Sequence, residues 1–273
     1  MEETLSIAAA ADRPAPSLHA SEQGRGPAVV LLPGLGGTTR YWDVGLEPLS
    51  QVAHVVRIDL LGFGDSPKPW AAYTIERHVV ALLAATAHLP RMTLVGHSLG
   101  AALALMLAAR APERVERLVL LGLPYFGNRR AAYSYYRGPP AYAWWATNVV
   151  LVALACLLTR RVVGWLLPYI LTDIPRVVAR DLVKHTWRSS TSSLWNVLYD
   201  HDLAEDAAAL PPTLPVVCVH GDADLMAPIA GVRRLAADRP GWHVVALAGV
   251  DHHPWLRCPA VCRRHVLAEA APS

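Results

Sequence analysis

The chain has 273 residues, of which 53% are apolar and 17% charged, with a formal charge of +3. That composition supplies a large core, suits one big domain or one domain with an insertion, and excludes an intrinsically disordered chain. The mild positive balance, with arginine pairs scattered at 129–130, 160–161, 233–234 and 263–264, leaves no footprint for nucleic acid.

Residues 8–17 are rich in Ala and Pro and read as a loose arm. Ala28-Val-Val-Leu-Leu32 predicts a strand that ends in Pro33-Gly-Leu-Gly-Gly37, with a helix beginning near Thr38 or Thr39. His54–Asp59 predicts a second strand. It is followed by the turn-rich stretch Leu61–Pro69 and a helix from about Thr74 to His88. Arg91–Val95 reads as strand and Leu99–Arg110 as helix, with Gly96-His-Ser-Leu-Gly100 between them. Val115–Leu121 is the next strand. From about Tyr125 to Leu210 no strand pattern is evident, and the stretch reads as helical, aromatic and apolar. Strands resume at Leu214–His220 and Trp242–Leu247, and a helix from about Pro259 to Ala270 closes the chain.

Short β-branched runs alternating with longer helical stretches predict an α/β fold: a mostly parallel central sheet with helices on both faces. Residues 1–124 and 211–273 form the expected core domain, and 125–210 an inserted helical, apolar lid. Right-handed crossovers place the strand C-termini along one edge, where open α/β sheets bind ligands. Every chemical candidate falls in the loops at that edge.

Gly96-His-Ser-Leu-Gly100 is a G-x-S-x-G nucleophile elbow in the context it requires, strand, tight turn, helix. A serine hydroxyl needs a base to take its proton and a carboxylate to orient that base. With Ser98 first in the order Ser, acid, His, the acid is Asp224 in His220–Pro228, ahead of its neighbour Asp222. The base is His252 in Gly249–Pro254, ahead of His253. His97 is expected to pack beside the nucleophile. His54, His78, His88 and His201 carry no motif. The negative oxygen of a tetrahedral intermediate needs backbone N–H donors aimed in advance. Leu99, after the nucleophile, and Leu35, in the Gly-rich loop, are the expected pair. That loop lacks G-x-G-x-x-G and a P-loop lysine, so a nucleotide site is not expected there.

These segments resemble the α/β-hydrolase fold superfamily. Leu31–Gly37 is similar to its oxyanion loop, with Pro33 where many members carry His. Asp59-Leu-Leu-Gly-Phe-Gly-Asp-Ser-Pro67 is similar to its D-x-x-G-x-G-x-S segment. The elbow, the acid loop Gly221–Pro228 and the Gly249–His252 segment match in order. The resemblance covers roughly residues 25–125 and 210–270, and Ser98 sets the chain apart from the dehalogenase and epoxide hydrolase branches, which use Asp there. It implies an esterase, lipase or thioesterase chemistry through an acyl-serine, with no metal or organic cofactor. The same residues also admit a lyase, cyclase or acyl transferase using His252 as base, or a non-catalytic binder of apolar ligands.

Ala143–Leu158 is apolar on nearly every helical face, and the apolar run resumes after Arg160-Arg161 until Pro168 interrupts it. At that length it falls short of the roughly 20 residues a bilayer requires. It is expected to be a lid helix buried against the body and lining an apolar tunnel. Docking of the lid onto a membrane surface is the second reading, and a true span the third. The first two share an apolar substrate, acyl or polyketide-like. Cys156, Cys218, Cys258 and Cys262 are too few for a disulfide framework, and Cys258/Cys262 lack a second ligand pair for a metal. The start Met1-Glu-Glu-Thr lacks a basic segment before an apolar run, so a reducing cytoplasm is the expected compartment.

Overall fold

The computed structural model describes residues 16–138 and 143–268. Most of the Ala/Pro-rich arm and the end of the closing helix at Ala270 lie outside these. Seven strands form one sheet: β1 Ala20–Gln23, β2 Ala28–Leu32, β3 His54–Ile58, β4 Met92–His97, β5 Val115–Leu121, β6 Val216–Gly221 and β7 Trp242–Leu247. Their spatial order is β1-β3-β2-β4-β5-β6-β7. All neighbouring pairs are parallel except β1 with β3. The edge strand β1 carries no apolar run (Ala-Ser-Glu-Gln), so it has no pattern by which sequence could reveal it.

Alternate side chains of each buried strand feed two apolar layers, as the pleat requires. Val30, Leu32, Val56 and Leu94 pack in one layer, and Val29, Leu31, Val55 and Val95 in the other. The helices divide accordingly. In chain order, α1 is Leu46–Ser50, α2 Ile75–Ala85 and α3 Leu99–Arg110. After β6 come α9 Ile229–Ala236, α10 Pro254–Arg257 and α11 Pro259–Leu267. α2, α3 and α9 cover the first layer, and α1, α10 and α11 the second.

α3 is buried all round from Leu99 to Ala108, because further helices pack on the side turned away from the sheet. Its run of Gly, Ala and Leu allows that close approach. At its first turn the approach is extreme. A Cβ on Gly100 would lie 2.3 Å from the Leu32 carbonyl oxygen and 2.4 Å from that of Pro33, both backbone atoms. Gly100→Ala is therefore expected to lower unfolding free energy by about 3 kcal/mol or more, since neither strand nor helix can give way alone. Urea denaturation of the two proteins measures it.

Between β5 and β6 the described residues form helices: α4 Arg129–Arg137, α5 Val149–Ile170, α6 Arg176–Asp181, α7 Trp187–Ser193 (continued by a π-helical turn to Tyr199) and α8 Leu203–Ala209. Their anchorage to the body is polar and buried. Thr38 donates to Asp181 at 2.8 Å, and the Tyr73 N–H donates to the Ser192 hydroxyl at 2.7 Å. His78 pairs with the Ser193 hydroxyl at 3.0 Å. Val197, Leu203 and Ala207 join the layer under α3.

α5 departs from the sequence reading in two ways. Asn148 caps it, its side-chain oxygen accepting from the N–H groups of Val150 and Leu151. The helix then runs 22 residues without a break at Pro168. A π turn at Thr159–Val163 and a 3-10 turn at Gly164–Leu166 restart the ladder, so that Pro168 falls in the first turn of the last segment, where its missing N–H has no intrahelical partner to lose. Nor is it enclosed: along it only Val152, Gly164 and Pro168 are buried, while Val150, Leu154, Leu158, Val162, Trp165 and Tyr169 are exposed. The expectation of a lid helix enclosed against the body is thus overturned.

Candidate active site

Ser98 sits between β4 and α3 at φ 52°, ψ −117°, a positive-φ conformation that L-residues rarely adopt. Gly96 and Gly100 make the turn possible by letting strand and helix backbones meet, since a Cβ on Gly96 would lie 2.2 Å from the Gly100 carbonyl oxygen. The result is a hydroxyl held at the C-terminal edge of the central strand.

The chain brings the three expected residues together there. His252 Nε2 lies 2.9 Å from Ser98 Oγ, and His252 Nδ1 lies 2.7 Å from Asp224 Oδ2. With Nδ1–H donating to the carboxylate, Nε2 is the lone pair that accepts the serine proton. Asp224 is buried and takes three donors. Its Oδ1 accepts from the N–H of Met226 (2.8 Å) and of Ala227 (2.9 Å), an Asx turn that follows from Asp224-Leu-Met-Ala. Its Oδ2 accepts from His252, and His220 Nε2, whose N–H donates to the Ala227 carbonyl at 2.5 Å, lies 3.2 Å from the same oxygen. Burial pushes this carboxyl up, but the polar contacts of His220 and His252, the charge of His252 and the Ala227 N–H outweigh it. The net effect holds the acid well below the usual carboxylate range.

The competing acid Asp222 is exposed and accepts instead from the Gly249 N–H at 2.7 Å, fixing the two loops to each other. His253 turns away toward Tyr41, whose hydroxyl is 3.5 Å from its Nδ1. His97 packs beside the nucleophile as expected. Its Nε2–H donates to the His252 carbonyl at 2.7 Å, and its ring stacks on Tyr41 with centroids 4.6 Å apart. Burial, then the charge of His252, holds His97 well below its ordinary value; burial and the same charge bring His253 down to about 4. Both rings stay neutral near pH 7, so an imidazolium formed on His252 meets no competing cation. Below them Trp42 and Trp255 meet edge to face at 5.0 Å, and the Trp255 indole N–H donates to the Val44 carbonyl at 2.7 Å.

The loop Pro33–Gly37 folds over the elbow. Gly37 N–H donates to the Gly34 carbonyl at 3.0 Å, and a Cβ on Gly34 would come within 3.1 Å of Ser98 Cβ. Leu35 is the next residue of that turn, and Leu99 opens α3, where the first N–H groups have no intrahelical acceptor. From the other side, the Leu182 carbonyl and His185 Nδ1 face Gly36, at 3.5 and 4.0 Å from where its Cβ would be. His220 and Tyr41 carry no pattern that sequence could use. Among the described residues, His19, Asp59 and Asp65 could converge on a metal ion. Both Asp59 oxygens, however, already accept backbone N–H groups, from Thr39 at 2.6 Å and Asp65 at 2.7 Å. All four cysteines are free.

With this geometry in place, residues 27–254 match the family model of the alpha/beta hydrolase fold. The chain belongs to the α/β-hydrolase fold family. It is a hydrolase of that family with esterase-like relatives. An uncharacterized protein of Mycobacterium tuberculosis is 28% identical over 263 residues, covering 87% of this chain and 73% of that protein. The pimeloyl-[acyl-carrier protein] methyl ester esterase of Nitrosomonas europaea is 27% identical over 256 residues, 89% of this chain and 95% of that one. A crystal structure of a hydrolase from Pseudomonas aeruginosa superposes with a TM-score of 0.72 at 25% identity, over 92% of this chain and 93% of that one.

Proposed function

We propose that this hydrolase cleaves carboxylic esters or thioesters of small apolar acyl compounds through an acyl-Ser98 intermediate. The observation that carries the reading is the unbroken line from Ser98 Oγ through His252 to Asp224, at 2.9 and 2.7 Å. His252 takes the serine proton as Oγ attacks the carbonyl carbon, then returns it to the leaving alcohol or thiol. Water deprotonated by His252 releases the acid. Asp224 keeps the imidazole in the useful tautomer. The N–H groups of Leu35 and Leu99 hold the oxyanion, each contributing on the order of a hundredfold in rate. The segment 125–210 serves as lid over a core of 1–124 and 211–273, its Leu182–His185 turn bounding the oxyanion side. An N. europaea relative named for a methyl ester supports the ester class.

A fluorophosphonate probe is expected to label Ser98 stoichiometrically, and p-nitrophenyl esters of increasing acyl length to be turned over with kcat/KM rising along the series. Folded protein that neither reacts with the probe nor hydrolyses any ester of the series would rule the proposal out.

A further inference from the structure

The apolar outer face of α5 has no partner in the fold. One side of the helix packs on the rest of the 125–210 segment: Val152, Gly164 and Pro168 are buried, and Gly164 sits so close that a Cβ would be 2.8 Å from Val183 Cγ1. The opposite ridge, Val150, Leu154, Leu158, Val162, Trp165 and Tyr169, recurs every three or four residues and points away from the protein. Leu158, Val162 and Trp165 are 54%, 57% and 71% exposed. Trp144 and Trp145 extend the exposed apolar surface beyond the helix start.

We infer that this face docks in the plane of an anionic lipid bilayer, with the ridge in the acyl boundary and the protein body in water. The helix packs along one side on α7 of the same segment, and Arg160 and Arg161 stand midway along it, where a spanning helix would carry them to the bilayer centre. In an interfacial helix the exposed Arg161 reaches sideways to headgroups while Arg160 donates to the His185 carbonyl at 3.0 Å, and Trp165 and Tyr169 sit at the depth these rings favour. The surrounding charge matches. From Trp144 to Arg188 the sequence has six Lys or Arg against Asp173 and Asp181; Lys184 is held by Asp65 and Asp181 and Arg160 by the His185 carbonyl, which leaves Arg161, Arg176, Arg180 and Arg188 for headgroups. Those two acids are neutralised within the protein, Asp181 by Arg40 and Lys184 and Asp173 by Arg257. A second copy fits the face less well, because a two-fold contact along the ridge would bring the Arg160-Arg161 pairs of both chains together.

Sedimentation with vesicles of phosphatidylcholine, with and without phosphatidylglycerol, tests this without reference to turnover. The wild-type chain is expected to sediment with the anionic vesicles. Leu158→Ser/Val162→Ser/Trp165→Ser should weaken partitioning at least about tenfold on both compositions. Arg161→Gln should weaken it about fivefold on anionic vesicles only. Folding of the variants is read from unchanged p-nitrophenyl acetate turnover, or, if the chain hydrolyses no ester, from circular dichroism. On the wild type alone, brominated lipid should quench fluorescence that Trp165→Phe removes. Four results would each overturn the inference: wild type that ignores both vesicles, a triple variant that binds as wild type does, protein that an alkaline carbonate wash fails to release, and a wild-type dimer that the triple variant converts to monomer without any lipid binding.

Discussion

Ser98→Ala is expected to lower kcat on any ester the protein turns over by about four to six orders of magnitude, with KM nearly unchanged. The hydroxyl removed is the one His252 Nε2 faces at 2.9 Å. The loss should stop short of the uncatalysed rate, because the N–H groups proposed for Leu35 and Leu99 survive the substitution and still polarise a bound carbonyl. Turnover near the wild-type level would instead favour the reading in which His252 alone abstracts a proton. The same position carries a stability signature. Ala keeps the Cβ that makes φ 52° costly, whereas Gly does not. Ser98→Gly should therefore unfold at higher urea than Ser98→Ala, by about 1–2 kcal/mol, although both are inactive. Equal midpoints would mean that the elbow stores no strain.

The fold and the candidate site were legible for one physical reason: buried parallel strands are continuous apolar runs, and the residues that converge at the candidate site lie in the loops that end them. Ala28–Leu32, Val115–Leu121 and Trp242–Leu247 appear in the structure with those same limits. What sequence could not show were features fixed by partners distant in the chain. β1 is a strand because it pairs with β3, although its own residues are polar. His220 lies beside the acid because β6 ends beside its own loop, and Tyr41 matters because His97 lies flat on it. The apolar segment was misjudged in length because Pro168 reads as a stop. The π and 3-10 turns that carry the helix into it leave no periodic trace. Its exposure was misjudged because a run apolar on every face looks the same whether it faces a core, a bilayer or open water.

Asp224→Asn tests the other end of the relay and should be almost as damaging, with kcat down about 10⁴-fold near pH 7 while the backbone stays in place. The direction follows from the donors around the side chain. The Met226 and Ala227 N–H groups require an oxygen at the Oδ1 position, so the new amide nitrogen must take the place of Oδ2. There it presents N–H to His252 Nδ1, which must become an acceptor, moving the imidazole proton to Nε2. A protonated Nε2 facing Ser98 Oγ cannot accept its proton. Stability should respond with the opposite pH sense to a simple repulsion. The wild-type carboxyl is held below its unfolded value, so it stabilises the fold above about pH 4 and loses that contribution as pH falls toward its native value. The gap in unfolding free energy between wild type and Asp224→Asn should accordingly be widest at neutral pH and shrink below about pH 4. Urea titrations at a series of pH values measure it, with kcat followed in parallel on a p-nitrophenyl ester. A variant that keeps wild-type turnover would show that the acid neither orients nor charges the base.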